Sequence, residues 1–250
     1  MKTVFAYFPL AALLMLCGCS SLSVETLSPS DLTIAELEER MAKATDPEGH
    51  YAKAQSFVMR QELTTKRFLD SPIVQMVETK FMRPECIKIT TYDDNKPSIA
   101  IISNGSSSWV ADYNSQKIRV LDADALRQIK RLAEITRPGS RLSQIFKNIK
   151  VEKCRIGDEM YYKLNCPGEK GIDLNIYVDA DTCQTERITF VKDGKVTYDS
   201  SLKGYGLYEG VRIPEETAVI TDGVEKTSHV IYYKLNPVID PAEFRPPVFR

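Results

Sequence analysis

Six cysteines carry most of the reactive chemistry this sequence could offer, and their spacing decides which chemistry that is. Cys17 and Cys19 close an apolar run near the N-terminus, where a thiol is placed for acylation. Cys86, Cys154, Cys166 and Cys183 are scattered through the remaining chain, where thiols pair, stay free or ligate metal. Metal ligation is not expected, because no C-x-x-C occurs and the two histidines, His50 and His229, are far apart. Asp179-Ala180-Asp181 has the start of a calcium-loop spacing, but Cys183 stands at the third ligand position and no Gly or distal Glu follows, so it reads as a turn. Gly105-Ser106-Ser107-Ser108 has no partner histidine nearby and reads as a polar turn. No nucleophile elbow, phosphate-binding loop, dinucleotide fingerprint or zinc-protease motif occurs. Neither an enzyme nor a dissociable cofactor is expected; binding is favoured over catalysis.

The N-terminus gives one thiol a definite role. Lys2, an apolar segment from Val4 to Cys17 and the small Gly18 have the layout of a secretory signal. The run is shorter than the roughly 20 residues that cross a bilayer, and Pro9 interrupts it. Leu16-Cys17-Gly18-Cys19 resembles the bacterial lipobox. The resemblance implies a signal peptide over 1–18, cleavage after Gly18 and acyl chains (diacylglycerol and palmitate) on Cys19. Cys17 fits less well, since bulky Leu16 would precede the cut. Ser20 and Ser21 lack the Asp that marks inner-membrane retention in such lipoproteins, which points to the outer membrane, facing the periplasm. Residues 19–32, small and polar with a Pro, read as a flexible tether.

Composition narrows the partners. The chain has 250 residues and a net charge of −1 without basic runs, so nucleic acid is not an expected partner. With 43% apolar and 27% charged residues it is ordinary globular material. In an oxidising periplasm the four remaining cysteines allow three pairings. A two-residue turn at Gly157-Asp158 sets Cys154 opposite Tyr161, which leaves Cys166 too far along that strand to bridge Cys154. The cysteines are otherwise read as structural or free.

The elements that must position these residues follow from periodicity. Thr33-Ile34-Ala35-Glu36 has capping-box spacing, and Ile34, Leu37 and Met41 continue a helix from about 33 to 44. From Lys53 onward, Asn104-Gly105, Gly157-Asp158, Asp193-Gly194, Glu209-Gly210 and Asp222-Gly223 punctuate β-prone runs as hairpin turns do. The pattern predicts one antiparallel meander of about eleven to thirteen strands, a sheet so wide that it curls into an incomplete barrel. Residues 122–146 interrupt it. Leu126, Ile129 and Leu132 share one helical face, and Ser140 caps a second short turn bearing Leu142, Ile145 and Phe146. Such an insert faces the concave side, as a plug or as a movable lid.

This order of motifs resembles a family. Phe81-Met82-Arg83-Pro84-Glu85-Cys86-Ile87-Lys88-Ile89, then Ile101-Ile102-Ser103-Asn104-Gly105 with Ser108-Trp109-Val110-Ala111-Asp112-Tyr113, are similar to consecutive segments of the periplasmic lipoprotein carriers (LolA-like). Tyr177-Val178-Asp179, Ile188-Thr189-Phe190, Asp193-Gly194 and Phe244 continue the match over roughly 50–247. The resemblance implies a half-barrel, residues 33–250, whose helices lie in the open face and which binds acyl chains of lipids or lipoproteins. It implies that Arg83 contacts the 122–146 lid and that Trp109, Leu126, Ile129, Leu132, Leu142, Ile145 and Phe146 line the cavity or lid. Lipoprotein-sorting proteins become expected partners. Two departures qualify it. The soluble carriers lack an anchor, which Cys19 provides here; the acceptor relatives carry an apolar loop tip, whereas the loop from Tyr92 to Ser98 is polar. The expected function is a tethered, non-enzymatic shield for acyl chains, with an envelope sensor or interaction module as the alternative.

Overall fold

The computed structural model describes residues 24–67, 70–168, 171–221 and 224–249. Fourteen strands form one antiparallel sheet: β1 (Val24–Pro29), β2 (Ser56–Arg67), β3 (Ile73–Met82), β4 (Cys86–Asp93), β5 (Lys96–Asn104), β6 (Ser108–Asp112), β7 (Lys117–Val120), β8 (Lys150–Ile156), β9 (Glu159–Cys166), β10 (Ile172–Asp179), β11 (Thr185–Lys192), β12 (Lys195–Tyr208), β13 (Val211–Thr221) and β14 (Val224–Leu235). Their spatial order is β1-β8-β9-β10-β11-β12-β13-β14-β2-β3-β4-β5-β6-β7, so two consecutive meanders join where β14 pairs with β2. The sheet ends at β1 and β7 and does not close into a barrel.

Turn chemistry follows the expected dipeptides. Gly105, Gly157, Gly194 and Gly210 all have positive φ, which glycine adopts without the steric cost of a Cβ. Asp222-Gly223 lies outside the described residues. Cys154 pairs with Tyr161, as the turn at Gly157-Asp158 requires.

Among the described residues three α-helices accompany the sheet: α1 (Ile34–Thr45) and α2 (His50–Lys53) between β1 and β2, and α3 (Ala123–Thr136) between β7 and β8. α1 opens with the full capping box: Thr33 Oγ1 accepts from Glu36 N–H at 3.3 Å while Thr33 N–H donates to Glu36 Oε2 at 2.8 Å. The packing of α3 establishes the curl. Ile129 clusters with Ile101, Val110 and Leu121, whereas Ile135 sits with Ile176, Ile188, Leu202 and Ile213. In sheet order β13 and β5 are five strand steps apart, about 24 Å in a flat sheet. Six helical residues span only about 9 Å. One helix reaches both regions because the sheet bends around it, with the helices in the concave face.

Strand alternation then assigns every side chain to the inner or the outer face. Ile89, Ile101 and Val110 face inward, against α3. Trp109, Ala111, Ala100 and Ile102 face outward, under the C-terminal segment, whose Phe249 meets Tyr113 edge-on at 5.5 Å. Pro241–Phe244 forms a 3-10 turn on this side, with Phe244 buried and Glu243 held by Lys80 at 2.9 Å and Lys88 at 2.7 Å.

One boundary is corrected. Part of the expected 19–32 tether is β1, paired with β8 from Val24↔Ile156 to Pro29↔Glu152. Its side chains are mostly exposed, so the pairing comes from the unfilled backbone edge of β8, with Glu25–Arg155 at 2.6 Å and Asp31–Lys153 at 3.0 Å beside it. This strand takes the count past the expected thirteen.

Candidate functional site

The inner wall of β2 to β6 is an apolar surface that the described helices leave partly open. Register places Met59, Val77, Phe81, Ile89 and Ile99 on the face that also holds Ile101 and Val110, and the first five are half-buried. Phe57 stacks between Phe81 (5.2 Å) and Tyr233 (5.8 Å), continuing the wall across β2 to β14. Side chains of this kind, kept from water on one side only, are suited to hydrocarbon.

The insert covers part of this wall. Leu126 is half-buried and Ile129 buried against Ile101 and Val110. Leu142 and Phe146 are buried and Ile145 half-buried in the second inner cluster, with Leu164, Leu174, Ile176 and Val178. The Arg131 guanidinium lies 4.6 Å from the centre of the Phe146 ring, a cation–π contact within the insert. The Leu132 side chain and Cys19 lie outside the described residues. Trp109 does not belong to this set. It precedes the inward-facing Val110 by one position of strand alternation and therefore points outward.

Arg83 also contacts a different partner from the expected one. Its Nε donates to Ala54 O at 2.6 Å, and its Nη2 to Tyr51 O at 3.2 Å and Ala52 O at 3.3 Å. These are the carbonyls ending α2, not the 122–146 insert. Five fixed donors meet the orphan carbonyls of a helix end, and α2 is the end within reach. At its other end Asp46 accepts from His50 N–H (2.7 Å), Tyr51 N–H (3.1 Å) and Ala52 N–H (3.3 Å), so side chains cap this one-turn helix on both sides.

Among the described residues, polar contacts from other elements also hold the insert. Lys130 meets Glu85 at 2.6 Å, Gly139 N–H donates to Thr45 Oγ1 at 3.3 Å, and buried Glu38 accepts from Ser143 N–H at 2.6 Å and Ser143 Oγ at 2.8 Å. Glu85 directly follows the Arg-Pro pair, so the right turn was identified with the wrong residue. Glu38 neighbours the apolar Leu37 stripe, but nothing local distinguishes it from a solvated helical carboxylate.

Space inside the sheet is small. The cavity between α1, the insert and β10–β13 measures about 50 Å³, room for a few waters. A larger groove of about 560 Å³ lies on the outer face, but Arg60–Glu78 (2.7 Å) and Lys80–Glu243 make its walls ionic. At the far rim, Asp94 and Asn95 form an exposed turn with positive φ and no apolar tip.

All four cysteines are free thiols, Cys154 and Cys166 on opposite faces of β9 and its neighbours. Burial pushes Cys154 up to about 11 and Cys166 up to about 12, which keeps both protonated and unreactive.

Comparison with solved structures shows that the fold is LolA-like. A LolA superfamily protein from Nitrosomonas europaea superposes with a TM-score of 0.61 at 15% identity, over 86% of this chain and 98% of that one. A DUF1329 family protein from Desulfovibrio piger gives 0.60 at 11% identity, over 85% and 95%. A putative outer membrane lipoprotein-sorting protein domain from Vibrio parahaemolyticus gives 0.53 at 10%, over 83% and 97%. At these identities the likeness is one of fold. No family model matches the sequence, and no curated protein matches it. Among the described residues no helix is long and apolar enough to cross a membrane.

Proposed function

We propose that this chain is a lipid-anchored envelope protein that shields acyl chains of lipids or lipoproteins on the inner wall of its half-barrel. Cys19 carries the anchor, on the periplasmic face of the outer membrane, and the protein acts in lipoprotein sorting without catalysis. The observation that carries the reading is the half-covered wall Met59, Val77, Phe81, Ile89 and Ile99, bordered by an insert that packs on the same inner face. Each methylene moved there from water contributes about 0.8 kcal/mol, so a long acyl chain gains on the order of 10 kcal/mol, comparable to the cost of uncovering the insert's buried Ile129, Ile135, Leu142 and Phe146. Native mass spectrometry of the membrane-extracted protein is expected to find co-purifying lipid or lipoprotein. A lipid-free protein that also takes up no acyl chain when offered vesicles would end the proposal.

The anchor has its own test. Cys19→Ala is expected to move the exported protein from the membrane fraction to the soluble one; continued sedimentation of the processed variant would refute the lipobox assignment.

One observation favours a second reading, an interaction or sensor module. The inner cavity holds about 50 Å³, as a filled core does. Cross-linking Lys130 to Glu85 separates the two: it abolishes acyl uptake if the insert is a lid and leaves protein partners bound if it is a plug.

A further inference from the structure

Strand β1 shortens the connection between Cys19 and the sheet. It pairs with β8 from Val24↔Ile156 to Pro29↔Glu152, and Ser30 N–H extends the ladder to Val151 O at 3.1 Å. Val24 faces the last residue of β8, so the N-terminal end of β1 lies beside the Gly157-Asp158 turn. Five backbone steps separate Cys19 from Val24, at most about 18 Å of extended chain. An unpaired tether running to Ile34, where α1 begins, would have fifteen steps and a reach of about 50 Å. The turn between β10 and β11 lies at the same end of the sheet, since Asp179 pairs with Tyr161 and Ala180 N–H donates to Met160 O at 3.0 Å. Asp158, Glu159, Asp181 and Thr182 are exposed on or beside these two turns.

We propose that β1 is a docking strand that seats the rim formed by Gly157-Asp158 and Asp181-Thr182 on the polar headgroups of the bilayer that holds the Cys19 anchor. The proposal rests on the anchor of the function proposed above, and not on acyl binding. Length sets the height. The headgroup layer takes up about 5–7 Å of the reach, so Val24 lies within about 13 Å of its outer surface, and the turn that follows Ile156 lies closer still. Composition sets the mode of contact. Burying Asp158 or Asp181 in hydrocarbon is costly, so the rim rests on headgroups without inserting. Exposed carboxylates repel an anionic surface, which makes zwitterionic headgroups the matching partner. Direction follows from the pairing. β8 leads from this rim back to exposed Lys150, about 20 Å further from the bilayer when the strand stands upright. With β1 unpaired, the chain would instead join the domain at the far end of β8, beside Glu152.

Energy transfer to a headgroup-labelled acceptor lipid tests this, using the lipidated full chain reconstituted in phosphatidylcholine vesicles. A fluorophore is placed at Asp158→Cys or at Lys150→Cys, each in a Cys86→Ser background; the other three thiols are buried. The Asp158 probe is expected about 10–20 Å nearer the acceptor plane than the Lys150 probe. Adjacent N–H groups of a strand point to opposite sides, so Glu25→Pro with Thr26→Pro removes at least one donor to β8. That double variant is expected to abolish or reverse the height difference. The side chains of β1 are mostly exposed, so its melting temperature is expected to stay near the parent's. A ten-residue Gly-Ser insertion after Ser21 leaves β1 intact and is expected to shrink the difference by lengthening the free connection. Equal heights for the two probes in the parent, or a difference that neither the proline pair nor the insertion reduces, overturns the docked rim while the anchor stands. A processed chain that does not partition with membranes overturns both.

Discussion

Replacing Arg83 by Leu removes three hydrogen bonds to the carbonyls that end α2 while leaving the Arg83 N–H bond to Gln55 O (2.8 Å) in place. The Nε bond to Ala54 O at 2.6 Å is the strong one; bonds from a charged donor contribute about 1.5–3 kcal/mol. The other two share one Nη2 at 3.2 and 3.3 Å, one of them near solvent, and add little. The loss is therefore about 2–3 kcal/mol, which falls on a helix of one turn that has no stability of its own. Amide exchange over residues 50–55 is expected to rise roughly 30- to 150-fold. Exchange over 123–136 is expected to change by less than about three-fold, because the insert is held by Glu85, Thr45 and Glu38 instead. If the loss stays local the melting temperature falls by less than about 2 °C; if it spread to the whole fold, 2–4 °C per kcal/mol would apply. Arg83→Lys, with a single ammonium, is expected to recover only part of the protection. Unchanged exchange at 50–55, or an equal rise across 123–136, would refute the assignment of Arg83 to α2.

Glu38→Ala is expected to cost about 2–3 kcal/mol and speed exchange at 142–146, with Glu38→Gln roughly half as severe; an unaltered insert would show that Ser143 does not depend on that carboxylate. Lys88 first, and Lys80 with it, hold the Glu243 carboxyl below the usual range. Its contribution is thus present above the unfolded value of about 4.3 and lost as pH falls through the lower folded value. Acid is expected to free the C-terminal segment from the outer face and shift the emission of Trp109, the single tryptophan, which shares its cluster with Phe249. Glu243→Gln is expected to show that shift already at pH 7, and identical titrations of the two proteins would contradict it. At pH 8 a thiol reagent is expected to label half-buried Cys86 first, while Cys154 and Cys166 wait for unfolding; rapid labelling of Cys166 would contradict its burial.

Hairpins were legible in the sequence because turn chemistry is local. Asn104-Gly105 and Gly157-Asp158 specify their backbone within two residues, and the capping box of α1 within four. Features that depend on distant partners were not. β1 has no apolar alternation, since its pairing uses backbone atoms that every sequence provides. The helix bound by Arg83 lies about thirty residues upstream, and nothing in the Arg-Pro pair distinguishes it from the insert. The resemblance implied that Trp109 lines the cavity, yet one step of strand alternation puts it outside; only the register with Ile102 and Val120 decides that. Glu38 reads as a solvated helical position until Ser143 is seen against it.

The pairing of β2 with β14 has a consequence for biosynthesis. Residues 57–67 hydrogen-bond to residues 224–235, so two meanders built almost wholly from near neighbours are united by their most sequence-distant contact. As the chain emerges N-terminus first, β2 to β7 can zip by successive hairpins, but one edge of β2 stays unpaired until the last strand is made. Loop closure over such a separation is slow, and an open β edge invites pairing with another chain. The nascent protein therefore passes through a half-sheet with its inner apolar wall uncovered and one long edge bare. That stage, more than the finished fold, is where a holding chaperone has something to bind.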